Sequence, residues 1–188
     1  DAAIPLLTNY LKYWEFNLVI VKNRNTKHGD FRMLSEGVHQ ISVNNSANPY
    51  RFLITIIHEI AHLVAFKDFG YFIKPHGKEW KSCYQKLITP FLKPEIFPQK
   101  LLDLLVHHFK NPKASTDSDF NLVIELNKFD PETEKNYIFE LDLGTIFEIH
   151  NSRKFVLGSM RKKRYECKEI LTQRKYLFSP HAQVKKVK

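Results

Sequence analysis

The sequence predicts an α+β protein with two parts, a helix-rich N-terminal domain and a small, basic, all-β module. Apolar residues before position 110 recur with helical spacing, whereas residues beyond 120 alternate with a period of two. The segment 111–119 between them is polar, turn-rich and without periodicity, which marks a boundary. We therefore expect a domain at 1–110, a linker at 111–119 and a β module at 120–188.

The elements of the first domain follow from the spacing of its apolar residues. In chain order we expect an opening helix near residues 4–11, strands at 16–22 and 38–44, and helices at 50–66, 78–92 and 98–109. The strand 38–44 comes just before the helix at 50–66. It could receive an extended peptide by β-addition, as edge strands of peptidases do. The alternative is an ordinary interior strand.

The β module is predicted from short runs of alternating residues that are separated by turn residues such as Gly144 and Asn151-Ser152. The expected strands lie at 122–126, 137–143, 145–149, 154–157, 164–168, 174–178 and 183–187.

The helix at 50–66 contains the sequence His58-Glu59-Ile60-Ala61-His62, an H-E-x-x-H motif. Residues i and i+4 stack one turn apart, so His58 and His62 can share one zinc ion while Glu59 reaches a water molecule. This helix is apolar almost all the way round, and its few polar residues form a single stripe. Such a pattern is typical of a buried helix that opens one face onto a cleft, or else of an amphipathic helix that shows the stripe to water.

Three downstream residues compete for the place of a third ligand. Asp68 follows His62 by six residues, as in peptidases whose chain turns at a glycine, but Ala65 stands in the place of that glycine. Glu79 has the character of a first-turn helix residue. His76 lies in a turn shaped by Pro75 and Gly77, and spacing alone does not separate a ligand there from an exposed loop histidine.

These residues resemble the SprT-like zinc metallopeptidases, which include the Spartan proteases of DNA–protein crosslink repair. The likeness rests on H-E-x-x-H followed by His76-Gly77-Lys78-Glu79-Trp80, and on the upstream stretches 27–32 and 37–44. It covers residues from about 5 to 110. The resemblance implies a zincin-like domain, one Zn²⁺ per chain held by His58, His62 and His76, and Glu59 as the general base. It also implies a protein or peptide substrate.

The C-terminal part departs from that family, many members of which carry a zinc ribbon built from four cysteines. This chain has only Cys83 and Cys167, so a second zinc held by four thiolates is excluded. We expect a metal-free β module in which Cys167 is a small strand residue. Tyr71 and Tyr84 are candidate donors to a tetrahedral intermediate, with packing as the alternative role.

The basic excess of the chain is confined to its end. Residues 153–188 contain twelve Lys or Arg and two Glu, a charge of +10, so the first 152 residues carry −1 of the total +9. Aromatic residues alternate with these bases, as in surfaces that meet phosphate backbones and stack on exposed bases. The alternative is a solvated surface whose aromatics form the core of the module. The candidate nucleic-acid contacts are Arg161, Lys162, Lys163, Arg164, Arg174 and Lys175.

Composition is that of an enzyme from a reducing compartment, and we expect a cytoplasmic location. Two cysteines give no disulfide framework, no apolar stretch is long enough to cross a bilayer, and the N-terminal residues lack a signal-peptide pattern.

The sequence thus favours a zinc-dependent metallopeptidase that hydrolyses peptide bonds, with DNA-associated or DNA-crosslinked proteins as the implied substrates. Two other hypotheses stay open: a nucleic-acid-binding or scaffold protein with a structural or inactive zinc site, and a zinc hydrolase that acts on another kind of bond.

Overall fold

The fold is taken from a computed structural model, which describes residues 2–24, 27–35, 37–131 and 135–187. The chain separates into two compact units, and the first ends at Pro131. This division differs from the boundary at 111–119 that the sequence suggested, because residues 120–131 belong to the first unit. Together the units have an α+β architecture of helices and two sheets.

The first unit combines the helices with a small sheet. Its helices are α1 (Ala3–Tyr13), α2 (Pro49–Phe69), α3 (Lys78–Ile88), α4 (Gln99–Phe109) and α5 (Phe120–Asn127), and its strands are β1 (Asn17–Val21), β2 (Gly29–Ser35) and β3 (Val38–Asn44). The strand order is β1-β3-β2, with β1 parallel and β2 antiparallel to β3. Since β3 is paired on both sides, it is the interior strand that the alternative described, and residues 38–44 have no free edge for β-addition of a peptide.

The core of the first unit forms around α2. Ile56, Ile57 and Ile60 are completely buried. They belong to a cluster that also includes Ile41 of β3 and Trp80 of α3. Removing each of these side chains from water contributes about 1.5–3 kcal/mol. The helix that carries the H-E-x-x-H motif is thus the centre of the fold rather than a surface element.

Helix α3 is shorter than predicted, and helix α5 lies where a strand was predicted. Helix α3 ends at Ile88, and a short 3-10 helix, Thr89–Phe91, follows because Pro90 has no N–H to continue the ladder. The strand expected at 122–126 is wrong, since these residues lie in α5. Asp119 caps that helix through the N–H of Leu122, and Leu122 and Leu126, one turn apart, are buried together.

The second unit is an all-β structure. Its strands are β4 (Asn136–Tyr137), β5 (Ile146–Glu148), β6 (Lys154–Arg161), β7 (Arg164–Glu169), β8 (Lys175–Phe178) and β9 (Gln183–Lys186), in the order β4-β9-β5-β6-β7-β8. The longer strand expected at 137–143 is wrong. The Glu140 carboxylate accepts the Tyr137 N–H at 2.8 Å and closes a short 3-10 helix, Ile138–Glu140.

Both cysteines are buried and free. Cys167 lies in β7, which confirms the prediction that it is a strand residue. Among the described residues, no helix is long and apolar enough to span a bilayer.

Candidate metal centre

Helix α2 places His58, Glu59 and His62 on one wall of a cavity of about 460 Å³. Asn48 fixes the start of the helix, because its side-chain oxygen accepts the N–H groups of Tyr50 and Arg51 at 3.1 Å. Thr55, one turn before Glu59, lines the same cavity. The predicted polar stripe therefore faces a cleft from Thr55 to His62.

A tight turn brings His76 to this wall. His76 has a φ of 56°, in the left-handed region that few residues other than glycine adopt. The N–H of the next residue, Gly77, donates to the Lys74 carbonyl at 2.8 Å, and a Cβ on Gly77 would lie only 2.8 Å from that same oxygen. Only glycine fits after the histidine, which explains the His-Gly pair in physical terms.

The three imidazoles converge through their Nε2 atoms. Nε2 of His62 lies 3.2 Å from that of His58 and 3.0 Å from that of His76, and the third side of the triangle is 3.2 Å. One imidazole nitrogen either donates or accepts, so three converging Nε2 atoms cannot satisfy one another by hydrogen bonds. Their lone pairs require a cation or shared protons between them.

The triangle fits a tetrahedral metal ion. Bonds of about 2.0–2.1 Å to imidazole nitrogens separate the ligand atoms by about 3.3–3.4 Å, close to the observed spacing. His58, His62 and His76 are the described residues whose ligand atoms come together in this way. Asp68, which is exposed at the end of α2, and Glu79, in the first turn of α3, do not join them.

Aromatic residues of α3 hold the imidazoles in place. The fully buried Trp80 ring lies 4.7 Å from His58, 5.3 Å from His62 and 4.6 Å from His76, measured between ring centroids. Tyr84 lines the cavity, but its hydroxyl donates to the Ile54 carbonyl at 3.1 Å. Tyr71 is 74% exposed and is not part of the cavity wall.

Burial keeps the imidazoles neutral. It lowers the pKa of His58 to about 2 and that of His62 to about 4, and the neighbouring imidazoles act in the same direction. Burial also lowers the pKa of His76. Neutral imidazole is the form that binds a metal ion, so the site is ready for a cation at neutral pH.

Glu59 is the buried carboxylate of this cavity, with only 6% of its surface exposed. Burial raises its pKa to about 8, and the Asp30 carboxylate acts in the same direction. Arg24, Lys27 and a hydrogen bond from the Phe31 N–H oppose that shift. The proton affinity of Glu59 is therefore unusually high for a carboxylate.

The candidate site lies in a segment that matches the model of a known protein family. The model of the SprT-like family matches residues 18–96, a range that contains the three histidines and Glu59. This match agrees with the resemblance to the SprT-like family that the motifs indicated. No solved structure was found to match the chain.

The cavity has a second wall, part of which lies outside the SprT-like segment. Arg24 and His28 come from the irregular chain between β1 and β2, and residues 114–117 come from the predicted linker. His28 Nε2 lies 3.0 Å from Asp117 Oδ2, and Arg51 approaches the same carboxylate at 3.6 Å. The sequence analysis missed these residues because no local spacing joins positions as far apart as 28 and 117.

The candidate nucleic-acid contacts of the second unit fall into two places. Arg161 and Arg164 are direct partners at the end of the β6–β7 hairpin, and the exposed Lys162 and Lys163 form its turn. Lys175 reaches this group, since its Nζ and the Arg161 Nε both bind the Glu166 carboxylate, at 2.9 and 3.2 Å.

Arg174 lies apart from the hairpin turn. Its carbonyl accepts the N–H of Glu169, at the opposite end of β7 from Arg164. At about 3.3 Å per residue, the length of β7 separates Arg164 from Glu169 by roughly 16 Å.

The interleaved aromatic residues of the second unit form its core. Phe155 is fully buried against Phe147, and Tyr176 and Phe178 pack on it with centroid distances of 5.5 and 4.9 Å. Stacking on exposed bases is therefore not the role of Phe155. Tyr165, Tyr176 and Phe178 pack against this core and are partly exposed.

Proposed function

We propose that the first unit is a zincin-like, zinc-dependent peptidase. The observation that carries this proposal is the convergence of three Nε2 atoms within 3.0–3.2 Å beside the buried Glu59. Neutral nitrogen ligands in a tetrahedral arrangement favour zinc over magnesium or calcium, which prefer oxygen. With two free, buried cysteines, a cytoplasmic setting is part of the proposal.

His58, His62 and His76 would hold the ion. Zinc, when bound there, supplies a Lewis acid that polarises the scissile carbonyl and lowers the pKa of water. Glu59 accepts the proton of the attacking water and returns it to the leaving amine, for which a raised carboxylate pKa is well suited.

Strand β2 is the proposed docking edge for an extended substrate. It lies at the outside of the sheet, and Gly29, Asp30 and Phe31 line the cavity. Along the described part of the chain, no other strand pairs with its outer edge. A peptide added there would run past Glu59 and form backbone hydrogen bonds, whatever its sequence.

The first test is Glu59→Gln. This variant should retain one zinc per chain while cleavage of casein falls by about 10²–10⁴-fold, the usual contribution of a general base. Zinc content is measured by elemental analysis and cleavage by product release. Unchanged proteolysis would remove Glu59 from the mechanism.

A ligand test accompanies it. Replacing a residue that contacts a metal ligand typically weakens metal binding by roughly 10–100-fold. His76→Ala should weaken zinc binding by more than this, and Asp68→Ala should leave the zinc affinity unchanged. Competition with a chromogenic chelator measures both. The reverse pattern would move the third ligand to Asp68.

We further propose that the second unit binds the phosphate backbone of DNA. Lys162, Lys163 and Arg164 are exposed at one hairpin end and have no carboxylate within 4 Å in the parts of the chain that the structure describes. Contacts of this kind are independent of sequence and weaken steeply with salt. The substrate would then be a protein that is bound or crosslinked to DNA.

DNA binding is tested by fluorescence anisotropy of a labelled duplex at several salt concentrations. Replacing Lys162, Lys163 and Arg164 by glutamine should reduce the slope of log K against log salt by about 2–3. A matched variant that replaces Lys12, Lys93 and Lys110 of the first unit carries the same charge change and should retain the slope. Equal effects of the two variants would mean that DNA binding depends on net charge alone and not on the hairpin end.

The same assays separate the alternatives. Zinc and DNA binding without cleavage of casein or of a DNA-crosslinked protein would favour a nucleic-acid-binding scaffold. Cleavage of small non-peptide substrates alone would favour another kind of hydrolase.

A further inference from the structure

Arg24 lines the cavity that contains the three histidines and Glu59. Its Nε donates to the Asn44 side-chain oxygen at 2.8 Å, and its Nη1 donates to the Ser42 hydroxyl at 3.0 Å. A longer contact of 3.5 Å joins Nη2 to the Ser42 carbonyl. All three acceptors are neutral.

Strand β3 fixes this arginine in its orientation. Asn44, at the end of β3, is only 6% exposed. Besides accepting from Arg24, its amide nitrogen donates to the Arg24 carbonyl at 3.2 Å and to the Lys27 carbonyl at 2.9 Å. The side chain and the backbone of Arg24 are thus held by one buried residue, so little rotamer freedom remains to be lost on binding a ligand.

Arg24 differs from the other cations of this cavity because it has no ion pair within 4 Å in the described residues, although its charge acts on Glu59. Lys27 pairs with Asp30 at 2.9 Å, and His28 pairs with Asp117 at 3.0 Å. Across the described ranges, no carboxylate lies within 4 Å of Arg24. Arginine has five N–H donors, and the observed contacts leave one on each terminal nitrogen.

We propose that Arg24 forms a subsite for a carboxylate of the substrate, next to the bond that is cleaved. This inference rests on the proposed peptidase function and deepens it. A monoanionic carboxylate can accept the remaining N–H groups of Arg24, whereas a dianionic phosphate would be repelled more strongly by Asp30, Glu59 and Asp117 in the same cavity. The expected substrate therefore carries Asp or Glu near the scissile bond.

A different role for Arg24 makes a different prediction. If Arg24 instead stabilised the oxyanion of the tetrahedral intermediate, its loss would lower kcat for every substrate alike. A carboxylate subsite acts only on substrates that carry the acidic group. The comparison of acidic and neutral substrates separates the two roles.

The experiment uses a peptide library that is digested by the zinc-loaded full chain, with mass spectrometry of the products. The wild type should enrich Asp and Glu at one position beside the cleaved bond, and Arg24→Gln should lose that enrichment. The matched control is Lys22→Gln, an exposed neighbour outside the cavity wall that carries the same charge change. It should retain the preference.

A pair of peptides that differ only by Glu or Gln at the preferred position gives the magnitude. The kcat/KM ratio for this pair should fall by about 10–100-fold in Arg24→Gln, as expected for one charge-assisted hydrogen-bonded contact. Arg24→Lys should recover only part of it, because lysine lacks the planar guanidinium that Asn44 and Ser42 orient. A uniform loss on both peptides, or an unchanged ratio, would overturn the proposal.

A second arm is independent of catalysis. Acetyl-glutamate amide and acetyl-glutamine amide are titrated into the metal-free protein, and the Arg24 Nε–H resonance is followed by NMR. The glutamate probe alone should shift that resonance, and nearby backbone shifts should vanish in Arg24→Gln. Equal shifts from both probes, or none, would overturn the carboxylate subsite. Absent cleavage by the wild type with a positive titration would discard only the peptidase function.

Discussion

Gly29 is the point at which strand β2 passes closest to Glu59, and its replacement by alanine tests the geometry of the site. A Cβ at position 29 would lie 2.5 Å from Glu59 Oε1, 2.7 Å from Glu59 Cγ and 2.8 Å from the Thr55 methyl carbon. These separations are 0.6–0.9 Å below the 3.4 Å at which ordinary contact begins. Either the strand or the Glu59 side chain must therefore move.

The expected cost has two parts. Overpacking of this size destabilises a core by about 1–3 kcal/mol, which urea unfolding measures. Because the carboxylate is the softer neighbour, we expect it to move by most of the overlap. A displacement of about 1 Å at a reacting group costs roughly 100-fold in rate. Zinc content should be unchanged, since the added methyl group meets none of the three histidines.

Gly37→Ala is the matched control on the same hairpin. Gly37 has a φ of 75°, and no described atom lies within 4 Å of the place that a Cβ would take. Alanine there adds backbone strain of about 1–2 kcal/mol without touching Glu59. The two variants should lose similar stability, but only Gly29→Ala should lose cleavage per folded, zinc-loaded molecule. Full activity of Gly29→Ala would refute the close approach of β2 to Glu59.

Three further expectations concern stability. Asn48→Ala removes the α2 cap and the bonds from its amide to the Leu126 carbonyl (2.8 Å) and Asp130 (2.7 Å), and should lower the unfolding free energy by about 2–4 kcal/mol in urea. Removing zinc with a chelator should lower Tm by several degrees, since zinc at 1,000 times its Kd adds about 4 kcal/mol; an equal Tm with and without zinc would contradict the site. Arg153 binds Glu169 at 2.6 Å and holds the Glu169 pKa at about 2. This ion pair should therefore stabilise the folded second unit above pH 4.5, and the stabilisation should be lost as the pH falls toward 2. Circular dichroism across that range checks it, and Glu169→Gln should flatten the profile.

Elements with a strong internal pattern could be predicted from the sequence. Helix α2 was expected from its apolar run, and it begins at Pro49, one residue before the predicted start. Strand β2 was missed because Arg32, Met33 and Leu34 are exposed, so the strand is held by its pairing with β3 rather than by a buried face. Such pairing has no signature within the strand itself.

Helix α5 shows a second reason for failure. Its Leu-Val-Ile run has β propensity, but the cap from Asp119 and the burial of Leu122 and Leu126 decide for a helix. Tertiary context thus overrode local preference.

The candidate site, like the fold, could be predicted only in part. The motif spacing, together with the family resemblance, predicted which three histidines would meet. The opposite wall could not be predicted, because Arg24 is placed by Asn44 and His28 by Asp117, partners that are 20 and 89 positions away.

The wall formed by residues 114–117 sets a limit on how far this protein can be shortened. A chain cut at 110, where composition first changes, would remove one side of the cavity and leave His28 without Asp117. It would also delete α5, whose Leu126 carbonyl and following Asp130 bind the cap of the motif helix. The smallest fragment that keeps this wall of the cavity therefore extends to Pro131, and the segment predicted to be a linker belongs to the first unit.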